Sequence, residues 1–290
     1  MKLFNHRIDA ASWLPAHYTG GAITPEIVVL HDTAGRLTPG NSAAYLASKN
    51  PAKASVHFVI ERDGAITQLV ATNRQANHAG DSSWQGRRWC NGFSIGIELV
   101  NAGRLTRLSD TQALAWWGEQ LAIGLYGIRE IETREHGRGL WMPYAEPQLT
   151  ALTRLLEVLF ARIKTLRDIT THWYVSPGRK VDTNPLFPLE HLRAHILGRD
   201  DPADLAAEAA SAPAPIADMM VQIDAAGDSL NLRRWPSFNP NVLTSIPDGA
   251  IVPVLRQGTF DGRQWLRVIY AGHEGWIVAR YAAPIIHADT

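Results

Sequence analysis

The sequence predicts an α/β domain, in which helices cover a mixed central sheet, followed by a second, small all-β barrel domain. Two observations predict this arrangement. Strand and helix patterns are interleaved through the first 198 residues, whereas only short strand patterns follow residue 219. With 290 residues, the chain is long enough for one sizeable core and a smaller module.

Five strands are predicted in the first domain, at residues 26–30, 55–60, 65–70, 93–100 and 168–172. The first run is continuously apolar and ends at a histidine, which is typical of a buried strand. An Asp-Gly pair between the second and third runs indicates a hairpin with a two-residue turn.

Three helices are predicted in the same domain. Ser109 and Gln112 form a capping box ahead of an apolar-rich run that ends at Tyr126. Pro147 suits the first turn of a second helix, in which leucines recur at three- and four-residue spacing. Residues 189–197 make the last helix. Because these helices are interleaved with strands, we expect them to cover the faces of the sheet.

The segment at residues 199–219 divides the chain into domains at 1–198 and 220–290. It is rich in alanine, proline and acidic residues, so it buries little and reads as a semi-extended linker, with a short helix at 204–210 as the alternative. Beyond it, strand patterns separated by Gly, Pro and Asp predict a small β-barrel, at residues 229–233, 250–255, 264–270 and 274–278.

The composition excludes several classes of protein. Lys+Arg and Asp+Glu both total 28, so no net charge attracts nucleic acid or an anionic membrane. Cys90 is the only cysteine, which rules out an intrachain disulfide and a thiolate metal site. No apolar run reaches the roughly 18 residues of a membrane span, and residues 1–9 lack a signal-peptide core, so synthesis in the cytoplasm is expected, with later release or export open.

Three widely spaced side chains suggest a metal site. His31 follows a buried strand, and His172 and Asp182 flank a loop that a Pro-Gly pair allows to double back. Two imidazoles and one carboxylate are ordinary ligands of Zn²⁺ and leave a fourth position for water. Taken alone, either histidine is read as a satisfied core or surface residue.

Glu98 shares one face of its strand with Ser94 and Gly96, because the apolar residues occupy the alternate positions. Burial of a carboxylate there costs free energy of folding unless the group has a partner or faces a solvent-filled cleft. It is either a general base or half of a structural ion pair. Lys180, two residues before Asp182, either faces a developing oxyanion or is an ordinary exposed lysine.

Other polar and aromatic residues are weaker candidates. His57 is out of phase with its apolar neighbours, and is read as a group that supports a metal ligand, a proton carrier or a hydrogen-bonded histidine. His78 and Trp84 lie in a loop that forms either a substrate wall or packing.

Five segments of the chain resemble the Amidase 2 family of zinc N-acetylmuramoyl-L-alanine amidases, which are related to peptidoglycan-recognition proteins. The segments are IVVLHDTAG, SVHFVIERDGAITQLV, NHAGDSSW, NGFSIGIELVN and THWYVSPGRKVDTNP. The resemblance implies zinc on His31, His172 and Asp182, with Glu98 as catalytic carboxylate and Lys180 beside the oxyanion.

The resemblance also implies a muropeptide or peptidoglycan substrate, with neither nucleic acid nor a membrane span involved. Expected substrate contacts are His57, His78, Trp84, Arg87, Arg88 and Asn91, the last three for the stem peptide. Asp182, where animal and phage-lysozyme relatives have cysteine, is typical of the bacterial recycling-type branch. Thr183-Asn184 departs from the Pro-Gly of that branch, and residues 129–146 read as an extra loop between helices.

The C-terminal sequence resembles a bacterial SH3-like module, on the layout of residues 230–255 and 265–277. Such modules are often associated with cell-wall binding, so Trp235, Trp265 and Trp276 are either ligand-facing aromatics or barrel core. The module favours intact wall as substrate over small anhydro-muropeptides.

The resemblance implies hydrolysis of the amide between N-acetylmuramic acid and L-alanine. Two alternatives stay open: a muramyl-peptide recognition module without catalysis, and a zinc peptidase of the stem peptide. The biological setting is also open between a recycling enzyme, a phage-type lysin and an exported effector.

Overall fold

The computed structural model describes residues 1–198, 219–234, 236, 242–260 and 263–285. The chain divides into two compact units, Met1–Pro188 and Leu189–Thr290. The predicted linker lies outside the described residues except for Met219, and so does Trp235. None of the helices in the described ranges is long and apolar enough to cross a membrane.

The strands of the first unit are, in chain order, β1 (Leu3–Phe4), β2 (Arg7–Ile8), β3 (Ser12–Trp13), β4 (Ile27–Asp32), β5 (Phe58–Ile60), β6 (Ile66–Gln68), β7 (Ser83–Trp84), β8 (Arg87–Arg88), β9 (Ser94–Leu99), β10 (Arg104–Arg107), β11 (Gln112–Leu114), β12 (Gln120–Ala122), β13 (Arg129–Thr133), β14 (Gly137–Trp141) and β15 (Asp168–Thr171). Its α-helices are α1 (Asn41–Ala47), α2 (Ile123–Tyr126), α3 (Glu146–Arg162) and α4 (His172–Val175).

In residues 1–188, all of which the structure describes, six strands form a mixed central sheet in the order β15-β4-β9-β5-β6-β3. β15, β4, β9 and β5 run parallel to one another, and β6 is antiparallel to β5. All six residues of β4 are buried, as expected for a parallel strand covered on both faces. The predicted mixed sheet and its five predicted strands are confirmed.

The helix predicted at Pro147 is confirmed as α3, with Pro147 in its first turn. Its buried face carries Leu152, Leu155, Leu156 and Leu159, the spacing of an amphipathic helix packed on a sheet. The Asp-Gly hairpin is also confirmed, although its turn is longer than predicted. Glu61 N–H donates to Ala65 O at 2.9 Å, so this hydrogen bond closes a turn of three residues, 62–64, with Gly64 at φ 90°.

The helix predicted between Ser109 and Tyr126 is wrong. The segment forms β11 and β12, and only its last four residues are helical, as α2. Ser109 Oγ accepts Gln112 N–H at 3.1 Å, but it does so in a β-turn, because the first turn of a helix and a β-turn offer that N–H at the same spacing. Gly118, at φ 89°, then reverses the chain.

The extra loop predicted at residues 129–146 is instead the hairpin β13–β14. It joins a five-stranded sheet of the first unit, in the order β12-β11-β10-β14-β13, all within the described residues. This second sheet has its own apolar core, which includes Leu105, Leu121 and Leu140. Burial of that core explains why the segment is ordered.

The helix predicted at residues 189–197 is confirmed as α5 (Leu189–Leu197), although it belongs to the second unit and was expected in the first domain. The strands of the second unit are β16 (Met220–Ile223), β17 (Ser229–Arg233), β18 (Val242–Pro247), β19 (Ile251–Phe260), β20 (Arg263–Tyr270), β21 (His273–Val278) and β22 (Ala282–Pro284). Among the described residues these strands form one antiparallel sheet, in the order β18-β17-β21-β20-β19-β16-β22. The four predicted strands are confirmed, and β16, β18 and β22 were missed. Trp265 and Trp276 are buried in this unit.

Candidate metal centre and catalytic cleft

The sheet itself brings the first two candidate residues together. His31 in β4 is the register partner of Glu98 in the neighbouring parallel strand β9. Paired residues of adjacent strands point to the same face, so the two side chains share one side of the sheet. His31 is 1% exposed, so its ring is enclosed by protein.

His172 begins α4, at the end of β15, and β15 is the other neighbour of β4. Asp182 is held to the same helix by its backbone, since its carbonyl accepts Trp173 N–H at 2.7 Å. The nine residues between His172 and Asp182 therefore form a closed loop, and His31, His172 and Asp182 lie close together. One ligand atom from each lies within 4.8 Å of the others.

The three atoms have the spacing that a metal ion requires. His31 Nδ1 is 2.9 Å from His172 Nδ1, and Asp182 Oδ2 is 3.3 Å from the first and 2.9 Å from the second. Ligand atoms around a tetrahedral Zn²⁺, at about 2.0–2.2 Å from the ion, lie about 3.3 Å apart. The cluster fits a divalent cation that takes two nitrogens and one oxygen.

The protonation states also suit a metal ligand set. Burial and the neighbouring His172 lower the pKa of His31 to about 4, so its imidazole is neutral at physiological pH. Burial opposes ionisation of Asp182, but close contact with the His172 and His31 rings holds the pKa of that carboxyl well below its usual range. Neutral imidazoles and an ionised carboxylate are the forms that bind metal.

A chain of hydrogen bonds behind His31 assigns its tautomer. With Nδ1 among the ligand atoms, His31 Nε2–H donates to His78 Nδ1 at 2.9 Å, and His78 Nε2–H donates to Ser94 Oγ at 3.1 Å. Ser94 donates in turn to the Cys90 carbonyl. His172 Nε2–H likewise donates to Ala79 O at 3.2 Å, so both ligand imidazoles are oriented from behind.

Gly96 makes room for His78. A Cβ at position 96 would overlap the His78 ring, so only glycine allows that ring to lie against β9. Gly96 N–H also donates to His57 Nδ1 at 3.0 Å. Because Ser94 and Gly96 have small side chains, this face of β9 leaves space in which the His78 ring packs.

Glu98 lies beside the metal cluster without a partner of its own. Its Oε2 is buried and accepts no hydrogen bond from any described residue. Burial raises the pKa of Glu98 well above its usual range, and the charges of Asp182 and Asp32 act in the same direction. Glu98 also lines a cavity of about 510 Å³, so this carboxyl is next to space that a ligand can enter.

The model of the protein family described as N-acetylmuramoyl-L-alanine amidase matches residues 21–185, which hold every residue of this centre. The chain belongs to this amidase family.

Curated relatives carry the corresponding names. The 1,6-anhydro-N-acetylmuramyl-L-alanine amidase AmpD of Citrobacter freundii is 32% identical over 162 residues, covering 56% of this chain and 67% of the relative. AmpD of Escherichia coli is 32% identical over 144 residues, covering 50% and 59%. The N-acetylmuramoyl-L-alanine amidase AmiD of Escherichia coli is 28% identical over 182 residues, covering 60% and 54%. The amidase-family chain thus spans about three fifths of these relatives' lengths.

Solved structures of the same proteins are also similar. The crystal structure of a selenomethionine AmpD derivative is 26% identical at a TM-score of 0.47, covering 67% of this chain and 98% of that one. A complex of Escherichia coli AmiD with anhydro-N-acetylmuramic acid-L-Ala-D-gamma-Glu-L-Lys is 25% identical at a TM-score of 0.45, covering 72% and 69%.

In this amidase-family chain, a second set of residues holds the loop that carries Asp182, and sequence reasoning missed it. The buried Asp32 carboxylate accepts the Tyr144 hydroxyl and Asn184 N–H, the latter at 2.9 Å. Asn184 Nδ2–H also donates to Met142 O at 3.0 Å. Burial raises the pKa of Asp32 to about 7, against the hydrogen bond from Tyr144. The sequence did contain one signal for this set: Asp32, a second polar residue, directly follows His31 in an otherwise apolar strand.

Several residues predicted as substrate contacts of the amidase-family chain are held by contacts within the protein. His57 is fully buried, with Nε2 2.8 Å from Arg74 O, which agrees with the alternative of a hydrogen-bonded histidine. Trp84 is 4% exposed and packs in an apolar cluster, which agrees with the packing alternative, and contact of either residue with substrate stays a prediction. Asn91 Oδ1 accepts the N–H groups of His78 and Ala79 at 3.1 and 2.8 Å, so it positions their loop.

The two predicted arginines lie on the surface of the first unit. Arg87 pairs with Glu26 and lies over the Phe93 ring, and Arg88 pairs with Asp81 at 3.1 Å. These side chains are exposed, so a contact with substrate stays a prediction. His78, expected either at a substrate wall or in packing, is held between His31 and Ser94, and its contact with substrate stays a prediction.

Proposed function

We propose that this protein hydrolyses the amide bond between the lactyl group of N-acetylmuramic acid and L-alanine of the stem peptide, with zinc as cofactor. One observation carries the proposal: three metal-ligand atoms lie within 4.8 Å of one another on the same sheet face as Glu98, whose buried Oε2 accepts no hydrogen bond from any described residue. A metal site beside an available base suits water-mediated cleavage of an acyl bond.

His31, His172 and Asp182 would hold the zinc ion. When bound in such a site, zinc lowers the pKa of water to about 7 and polarises a carbonyl oxygen. The chain contributes orientation, because His78 and Ala79 hold the ligand imidazoles from behind while Asp32 and Asn184 hold the Asp182 loop.

Glu98 would carry the proton. A carboxyl whose pKa is raised by burial is a stronger base than an exposed one, so it accepts a proton from the attacking water and holds it. An amide nitrogen leaves only after protonation, so Glu98 must then return the proton to the amine of L-alanine. Lys180, whose positive charge acts on both His31 and Glu98, would stabilise the oxyanion of the tetrahedral intermediate.

Metal analysis combined with digestion of muropeptides tests the proposal. We expect about one zinc per chain and release of peptides with a free L-alanine amine. A chelator should remove both the bound zinc and the cleavage activity. In Glu98→Gln the zinc should stay and turnover should fall by at least about 10²-fold. Zinc content with no cleavage in the wild type would favour the recognition module, and cleavage elsewhere in the stem, read by mass spectrometry, would favour the peptidase.

For residues 220–290 of the second unit we propose an SH3-like barrel that binds the cell wall, joined to the preceding part of the chain by a linker at residues 199–219. Its antiparallel sheet and its core of buried residues such as Val221, Leu232 and Ile277 support a small independent module. Cosedimentation of the full chain with purified sacculi tests this role. A chain ending at residue 198 should sediment less, and equal sedimentation would contradict the assignment.

A further inference from the structure

The cavity beside Glu98 has an aromatic wall that the proposed mechanism does not use. Its volume is about 510 Å³, and its lining includes Tyr45 of α1 with Trp116 and Trp117 of the β11–β12 turn. Cavities of about 300–1,000 Å³ accommodate ligands much larger than a single amide group. The space next to Glu98 therefore extends well beyond the bond to be cleaved.

The aromatic rings are presented to solvent and held in place. Trp116 is 76% exposed and Tyr45 is 49% exposed, which is unusual for large aromatic side chains. The indole N–H of Trp116 nevertheless donates to Ala34 O at 2.6 Å, and its ring meets that of Trp117 edge to face with centroids 5.8 Å apart. An exposed ring that is already fixed loses little entropy when a ligand stacks on it.

The rest of the lining points to a neutral, hydroxylated ligand. Thr33, Asn41 and Ser42 offer hydroxyl and amide groups, and among the described lining residues only Arg36 and Glu98 carry charge. A stem peptide bears several carboxylates and would favour a more cationic wall. Sugar rings have one apolar C–H face that packs on aromatic rings, together with hydroxyl and N-acetyl groups that suit the polar lining.

We propose that Tyr45, Trp116 and Trp117 form a glycan subsite, which binds the sugar neighbouring the muramoyl residue whose amide is cleaved. The proposal rests on the amidase function proposed above and adds a substrate class to it. Substrates with two or more linked sugars are then preferred over those with a single anhydro-muramoyl unit, because only the former fill the aromatic end of the cavity.

Kinetics on two matched substrates test the subsite in the full-length, zinc-loaded protein. One substrate is a glucosaminyl-muramoyl peptide, and the other is the same peptide carrying only a lactyl group. In Trp116→Ala, kcat/KM should fall roughly tenfold on the first and change less than about twofold on the second. Phe4→Ala is the matched control, since Phe4 is 74% exposed and outside the cavity lining.

A binding measurement separates the subsite from any loss of folding. Peptide-free glycan oligomers should quench tryptophan fluorescence of wild type and Phe4→Ala, with roughly tenfold weaker binding in Trp116→Ala. Equal loss on both substrates, a larger loss on the sugar-free peptide, or unchanged oligomer binding would overturn the glycan subsite. A wild type that cleaves neither substrate contradicts the proposed amidase function instead.

Discussion

His31 Nε2 lies 2.9 Å from Nδ1 of His78, and this contact decides which nitrogen of His31 meets the other ligand atoms. His31 donates to His78, His78 donates to Ser94, and Ser94 donates to the Cys90 carbonyl. Each of the two rings therefore has one defined tautomer. His78 is therefore expected to be a positioning residue, because it would act on a bound metal ion only through His31.

Replacing His78 with alanine should weaken zinc binding by about 10–100-fold, since the ligand imidazole loses the acceptor that orients it. Competition against a chromogenic chelator measures the affinity directly. His78→Gln, whose side-chain oxygen can accept the same hydrogen bond, should recover part of the loss, and the exposed His273→Ala should bind as wild type does. Full zinc affinity in His78→Ala would contradict the positioning role.

A methyl group at position 96 should have the same effect as removing His78. Gly96→Ala places Cβ in the His78 ring, whereas Gly92→Ala meets no atom within 4 Å. We expect weaker zinc binding and a lower melting temperature in Gly96→Ala, and neither change in Gly92→Ala. The chelator assay and thermal unfolding check both, and two variants with equal behaviour would refute the close contact.

Glu98→Gln should stabilise the metal-free protein by about 1–3 kcal/mol at neutral pH, because a buried carboxyl without a partner is costly. The folded pKa of Glu98 is raised above its usual 4.5, so the cost appears as pH rises above that value and vanishes below it. Urea unfolding across this pH range measures the difference. The exposed Glu132→Gln should differ little from wild type, and a destabilised Glu98→Gln would show that Glu98 has a structural partner.

Glu26, unlike Glu98, should stabilise the folded protein at neutral pH. The hydrogen bond from Arg87, aided by the charges of Arg87 and Arg167, lowers the pKa of Glu26. A lowered folded pKa stabilises the protein above the unfolded value, and this contribution is lost as pH falls through the folded value. Glu26→Gln should therefore cost up to about 1 kcal/mol at neutral pH, less in high salt and nothing in acid. A pH-independent cost in urea unfolding would exclude the ion pairs as its source.

Local pattern predicted much of the central sheet and of α3. The alternation at Ser94, Gly96 and Glu98 is a period of two, and the leucines of α3 follow the helical period, so each depends only on neighbours in sequence. The segment after Ser109 shows the limit of such reasoning. Its serine caps a turn and a helix equally well, and only packing of Ala113 and Leu121 in the second sheet selects strands.

By itself, the sequence determined the chemical groups of the site and the strand face on which Glu98 lies. Only the tertiary structure decided that His31 is in register with Glu98, that His78 lies behind His31, and that Trp116 lines the same cavity as the Glu98 carboxyl. The physical reason is that strand register and cavity walls come from pairing and burial between distant segments, which no local periodicity encodes.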